Sequence, residues 1–149
     1  MLKAHPVVVV VGLCGHGLTI ARTLERSGIT VIALETNLAL PGMHTRSANI
    51  RVVPDINHIG LIDSLLALSD DIGTEPLPVL ILTNDHMVET IGSHVERLHG
   101  RFALSWRDSR QNMLPLLKKD QIEARCHMTG LNYPRTVLIN TLDLSLIHI

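Results

Sequence analysis

Three glycines within six positions, Gly12, Gly15 and Gly17, interrupt the chain directly after five consecutive valines, Val7–Val11. A residue without Cβ takes positive φ and lets a ligand or a crossing helix approach the backbone closely. This turn is therefore the first place where the sequence could bind something. Tight strand-to-helix packing with no ligand explains the same glycines equally well. On either account Gly15 is expected where a side chain would be obstructed, so that Gly15→Val destabilises the fold. Glu35 ends the next apolar run and is expected to point toward the turn, near the distance at which a ribose-binding acid follows a dinucleotide-binding glycine motif. The spacing here is GxxGxG rather than GxGxxG, which makes a nicotinamide-dinucleotide-binding module the alternative rather than the first choice.

Other chemically capable residues are more scattered. Arg46, after Thr45, can hold a carboxylate by a bidentate contact, and an exposed loop arginine accounts for it equally. Asp85 can line a cleft at the end of a strand, although a helix N-cap explains it fully. His16 lies in the glycine turn, and Cys14 beside it has no paired base in sequence that would support nucleophilic catalysis. His86, His94 and His99 are spaced by eight and five, which does not put them on one helix face for a metal. Cys14 and Cys126 are the only cysteines. They lack partners at metal-ligand spacing, so neither a disulfide framework nor a zinc site is expected.

The elements that must position these residues alternate between strand and helix. Val7–Val11 reads as a central parallel strand covered on both faces, because it shows no polar alternation. From Leu18 the pattern is helical, with Gly28 as its stop. Ile29–Leu34 is a second buried strand ending at Glu35, Thr36–Ala48 a loop containing Pro41-Gly42, and Asn49–Val53 a short third strand. After Pro54, Asp55 or Asn57 caps a helix running through Leu68, and Ser69–Pro78 is a polar connection. Val79–Leu82 is a fourth strand, leading through Asp85 into a helix with Val88, Ile91, Val95 and Leu98 on its apolar side. Phe102–Leu104 offers a fifth strand, and Asp108 with Gln111 suggests a capping pair. Leu116–Thr129 is again helical, closed by Gly130, and Val137–Ile139 is extended. The expected class is α/β, a Rossmann-like doubly wound parallel sheet.

Composition narrows the function classes. With 149 residues, 46% apolar content and a net charge of −1, the chain is globular and carries no electrostatic signal for nucleic acid. No apolar run approaches the roughly 20 residues of a spanning helix, and the amino terminus lacks a signal-peptide cleavage region. No membrane partner is expected, a cytoplasmic location follows by default, and homo-oligomerisation stays open.

Four stretches in a fixed order, VVVVVGLCGHGLTIARTLERSGITVIALE, PGMHTRSANIRVVP, VLILTNDHMVETIGSHVERL and LLKKDQIEARCHMTGLNYPRT, resemble the amino-terminal part of ATP-grasp ligases, in particular the carboxylate-amine ligase group that includes D-aspartate ligase-like proteins. The resemblance implies a Rossmann-like domain over residues 1–107, then a linker and the first helix and strand of an ATP-grasp fold over 108–143. It implies ATP and Mg²⁺ as cofactors, with small-molecule carboxylate and amine substrates. ATP would phosphorylate the carboxylate and the amine would attack the acyl phosphate. Lys119 falls on the ATP-binding lysine of the family's D-K pair, whereas Lys118 replaces the aspartate. Gly12, Gly15, Gly17, Glu35, Arg46 and Asp85 become candidate substrate-binding residues.

A second lysine, a phosphate-covering loop and the magnesium carboxylates of such a fold have no room after Ile139. The closing residues 144–149, LSLIHI, are what CTGTCTCTTATACACATC encodes, which resembles a transposon-end adapter. The chain is therefore expected to be an amino-terminal fragment with an artefactual tail, with no catalytic residue of its own and no ATP turnover alone.

Overall fold

The computed structural model describes residues 5–134, apart from the side chains of Lys119 and Asp120. The chain divides into two units, Met1–Arg110 and Gln111–Ile149. In the first, a four-stranded sheet of order β3-β2-β1-β4 is built from β1 (Val8–Val11), β2 (Val31–Glu35), β3 (Asn49–Val52) and β4 (Val79–Leu82). Every pairing is parallel, with Val8 opposite Val31 and Val79, and Ile32 opposite Asn49. The valine run is thus central, and all four of its strand residues are buried.

Strand alternation sends successive side chains to opposite faces. Val9, Val11, Ile32, Leu34 and Leu80 pack with Leu61, Ile62 and Leu65 of α2 (Ile59–Ile72) and Met87 and Ile91 of α3 (Asp85–Ser93). Val8, Val10 and Val31 face the other way, onto Ala21, Ile20 and Leu24 of α1 (Gly15–Arg26). Helices on both faces of a parallel sheet make this an α/β, Rossmann-like layer.

Several elements depart from what the sequence pattern suggests, each for a local reason. Helix α1 starts at Gly15, three residues before the apolar period becomes visible. Helix α2 runs on to Ile72 because Ser69 is buried within it, donating to the Leu66 carbonyl (2.8 Å) and accepting from Arg101 Nη1 (2.6 Å). The expected continuous helix through Leu98 breaks at His94. There the ring Nδ1 lies 3.0 Å from the Thr90 carbonyl that a continuing helix would offer to the His94 amide, and Val95–Leu98 becomes a 3₁₀ turn.

The expected fifth strand reduces to one parallel bridge, Ala103 to Val79. It cannot lengthen into a ladder, since the Leu104 carbonyl accepts from Arg107 N–H (3.4 Å) as the chain turns into a 3₁₀ segment at Arg107–Ser109. That turn has no side-chain cap, so the Asp108 and Gln111 pair is not used. A single helical turn, α4 (Arg110–Met113), follows.

In the second unit, Leu114–Leu117 is a 3₁₀ turn around Pro115, and α5 (Lys119–Thr129) begins three residues later than the apolar pattern suggests. Gly130 closes α5 in the left-handed region at φ 68°, with Leu131 N–H bonded to the Cys126 carbonyl at 2.9 Å. The extended stretch at Val137–Ile139 and the tail 144–149 lie outside the described residues.

The glycine turn is set by packing at two of its three positions. Gly12 has φ +89°, and a Cβ there would run into the Thr83 hydroxyl; a Cβ on Gly17 would overlap the Gly12 carbonyl. Gly15 corrects the expectation of obstruction: its φ is not positive, and among the described residues nothing lies within 4 Å of where its Cβ would be. Gly17→Ala is accordingly expected to cost about 1–3 kcal/mol through overpacking against backbone. Gly15→Ala should leave stability unchanged or raise it by up to about 1 kcal/mol, as for glycine replaced in a helix. Denaturant midpoints of the two variants check the contrast.

Candidate functional site

Parallel strands deliver their carboxyl ends to one edge of the sheet, and in open α/β folds ligands bind there where the strand order reverses. Here β1 leads through α1 to β2 on one side, while β4 lies on its other side. In such a fold the crevice falls between the β1–α1 turn, Gly12–Cys14, and the β4–α3 turn, Thr83–Asn84. The Thr83 hydroxyl donates to the Val11 carbonyl (2.7 Å), tying the two turns together.

Glu35 holds the rim. It is 2% exposed. Its Oε2 accepts the Leu13 amide at 2.7 Å, and Oε1 accepts the amides of Thr36 (2.8 Å) and Asn37 (3.0 Å). The side chain does reach the glycine turn, yet it is consumed in fixing that turn and the exit from β2. Gly12 N–H adds a bond to the Leu34 carbonyl at 2.8 Å. The Pro41-Gly42 stretch, read as loop, is a 3₁₀ turn at Pro41–His44 whose Gly42 lies so close to Leu13 that a Cβ would strike the Leu13 carbonyl.

Helix α1 has no side-chain cap and no acidic residue in its first turn. The positive end of its dipole and its first amides are thus uncompensated by acid, a setting that favours an anion. Cys14 occupies the N-cap position. The nearby Gly17 amide, though it makes no capping bond, lowers the thiol pKa below the usual value. Burial acts in the opposite sense, and the His16 ring and amide and the Thr83 hydroxyl add to the lowering. Cys14 Sγ lies 3.8 Å from His16 Nδ1, so the thiol has a neighbouring imidazole that linear inspection does not supply.

Asp85 is not the cap of α3. That role belongs to Asn84, whose Oδ1 accepts the Met87 amide (2.9 Å) while its Nδ2 donates to Asn57 Oδ1 (3.0 Å). Asp85 is left exposed as the first residue of α3, at the carboxyl edge of the sheet. Asn57 belongs to the loop after β3, where Asp55 receives the amides of Asn57 (2.9 Å) and His58 (3.0 Å). Burial raises the Asp55 pKa, but these amides and the His58 ring more than offset it, leaving the carboxyl below its usual value.

The sheet therefore brings Gly12, Gly15, Gly17, Glu35 and Asp85 to one edge and does not bring Arg46 there. Arg46 precedes β3 and lines a pocket with Gly28, Ile29, Thr30 and Val31, at the amino ends of β2 and β3. Lys119 opens α5 in the second unit. Among the described residues no group of three His, Cys, Asp or Glu is placed to hold a metal ion, and no helix is long and apolar enough to cross a membrane. No model of a known protein family matches this chain, and no characterised protein gives a significant match.

Two measurements probe this site. Glu35→Gln replaces one acceptor oxygen by a donor, so either the Leu13 amide or the pair at Thr36 and Asn37 must face an N–H₂ group. A loss of about 1–3 kcal/mol in unfolding free energy is expected for the stranded donors. For Cys14, alkylation of a Cys126→Ser chain by iodoacetamide should show its pH midpoint below that of the same chain in denaturant. His16→Ala should move the midpoint upward.

Proposed function

We propose that this chain is the amino-terminal part of an ATP-dependent carboxylate-amine ligase of the ATP-grasp superfamily. The observation that carries the proposal is the order of four motifs along one chain, from the valine-glycine strand and turn to KKDQ and the G-x-x-x-P ending Gly130 to Pro134. A Rossmann-like parallel layer and a helix opening at Lys119 and stopping at Gly130 are what such a reading requires.

Within this chain the crevice would receive the carboxylate substrate, its charge met by the first turn of α1. Exposed Asp85 is available to an amine. Lys119 would serve as a point charge for phosphate oxygens. The carboxylate oxygen attacks the terminal phosphorus of ATP and ADP leaves; the amine then attacks the acyl carbon, phosphate leaves and the amine proton is lost. Among the described residues no group of three His, Cys, Asp or Glu is placed to hold the Mg²⁺ that this reading implies.

The dinucleotide alternative is weakened by Glu35. Its oxygens already hold three backbone amides and it is 2% exposed, so a ribose hydroxyl has little access to the acceptor site that Oε2 keeps.

In the protein that carries this chain, a first equivalent of ADP should require the carboxylate alone, and sustained ADP release both the carboxylate and an amine. Lys119→Ala should reduce kcat/KM for ATP by roughly 10- to 100-fold, about 1.5–3 kcal/mol, with the unfolding midpoint unchanged. Saturable NAD binding that shifts the amides of Gly12–Gly17, or unaltered ATP kinetics in the variant, would sink the proposal.

A further inference from the structure

A pocket of about 290 Å³ opens at the amino ends of β2 and β3, on the edge opposite the glycine turn, with Glu25, Gly28, Thr30, Arg46, Ser47 and Asn49 in its lining. Its charged members are one acid and one base. Glu25 comes from the last turn of α1, and Arg46 from the segment between Gly42 and β3. Neither forms an ion pair or a side-chain hydrogen bond among the described residues, and the two do not pair with each other.

That pattern contrasts with the arginines of the α2 side of this unit. Arg51, Arg97 and Arg101 each meet a carboxylate, from Asp71, Asp63 and Asp70. Opposite charges bordering one cavity without neutralising each other complement a ligand that carries both charges. A volume near the lower bound of ligand pockets, roughly 300 Å³, suits a small molecule. The walls add hydrogen-bonding groups from Thr30, Ser47 and Asn49.

We infer that this pocket binds the zwitterion of a free α-amino acid, with the carboxylate on Arg46 and the ammonium on Glu25. Arg46 thereby keeps a carboxylate-binding role, at a place separate from the crevice. The site does not depend on the ligase assignment. A guanidinium suits a carboxylate because its paired N–H groups match two oxygens, whereas a single carboxylate suffices for an ammonium.

The test is an amide chemical-shift titration of the full chain with L-alanine, D-alanine, propionate and ethylamine. At least one alanine enantiomer should shift the amides of Gly28, Thr30, Ser47 and Asn49 saturably. Propionate and ethylamine, each carrying half of the recognised charge, should bind about tenfold more weakly or worse. Arg46→Gln and Glu25→Gln should each weaken alanine binding about tenfold or more. Both residues are exposed, so the variants should keep the wild-type spectrum elsewhere. The inference is overturned if neither enantiomer shifts these amides at millimolar concentration, if shifts fall on Gly12–Gly17 instead, if propionate or ethylamine binds as well as alanine, or if either variant binds alanine as the wild type does.

Discussion

A buried carboxylate accepting three backbone amides sets the geometry of the sheet's carboxyl edge. Glu35 joins the exit of β2 to the turn after β1. An amide buried without an acceptor is costly, and hydrogen bonds to a charged group are stronger than neutral ones. Releasing Glu35 would therefore free the Leu13 amide and the two amides beyond β2 together. With Leu13 held, Gly12 takes its positive φ against Thr83, and Gly17 is drawn against the Gly12 carbonyl. The Pro41–His44 turn also seats on Leu13, so the turn after β1 is held both by the exit of β2 and by the 3₁₀ turn beyond it.

This arrangement separates two roles that glycine plays. Gly12 and Gly17 are needed by the protein itself, because any side chain would meet the Thr83 hydroxyl or the neighbouring carbonyl. Gly15 faces open space at the start of α1. The part of the turn free to meet a ligand is therefore Gly15 with the uncapped first turn of α1, not the whole glycine motif. Cys14 adds a thiol with lowered pKa at the same point, and its neighbours Gly17, His16 and Thr83 are the groups that lower it.

The two edges of the sheet differ in what they offer. At the carboxyl edge, helix-start amides and exposed Asp85 border a crevice whose acid, Glu35, is already engaged. At the amino edge, Glu25 and Arg46 border a polar pocket without an ion pair among the described residues. A parallel sheet produces this division because every strand runs the same way, so residues preceding strands and residues following them collect at opposite ends.

The sequence by itself determined the parallel α/β layer: uninterrupted apolar runs such as Val8–Val11 and Val31–Leu34 have no polar face to leave in water, and the intervening stretches carry helical periodicity. It also determined that Glu35 would lie at the glycine turn, since both follow strands of the same direction. Tertiary structure decided what periodicity does not encode. It made Asn84 rather than Asp85 the cap, since the choice depends on contact with Asn57 across the fold. It freed Gly15 and confined Gly12 and Gly17, because crowding depends on what packs nearby. It ended the fifth strand at one bridge, where Arg107 captures the Leu104 carbonyl. It also set Arg46 at the far edge from the crevice, because side chains meet only where chain direction and register bring them together.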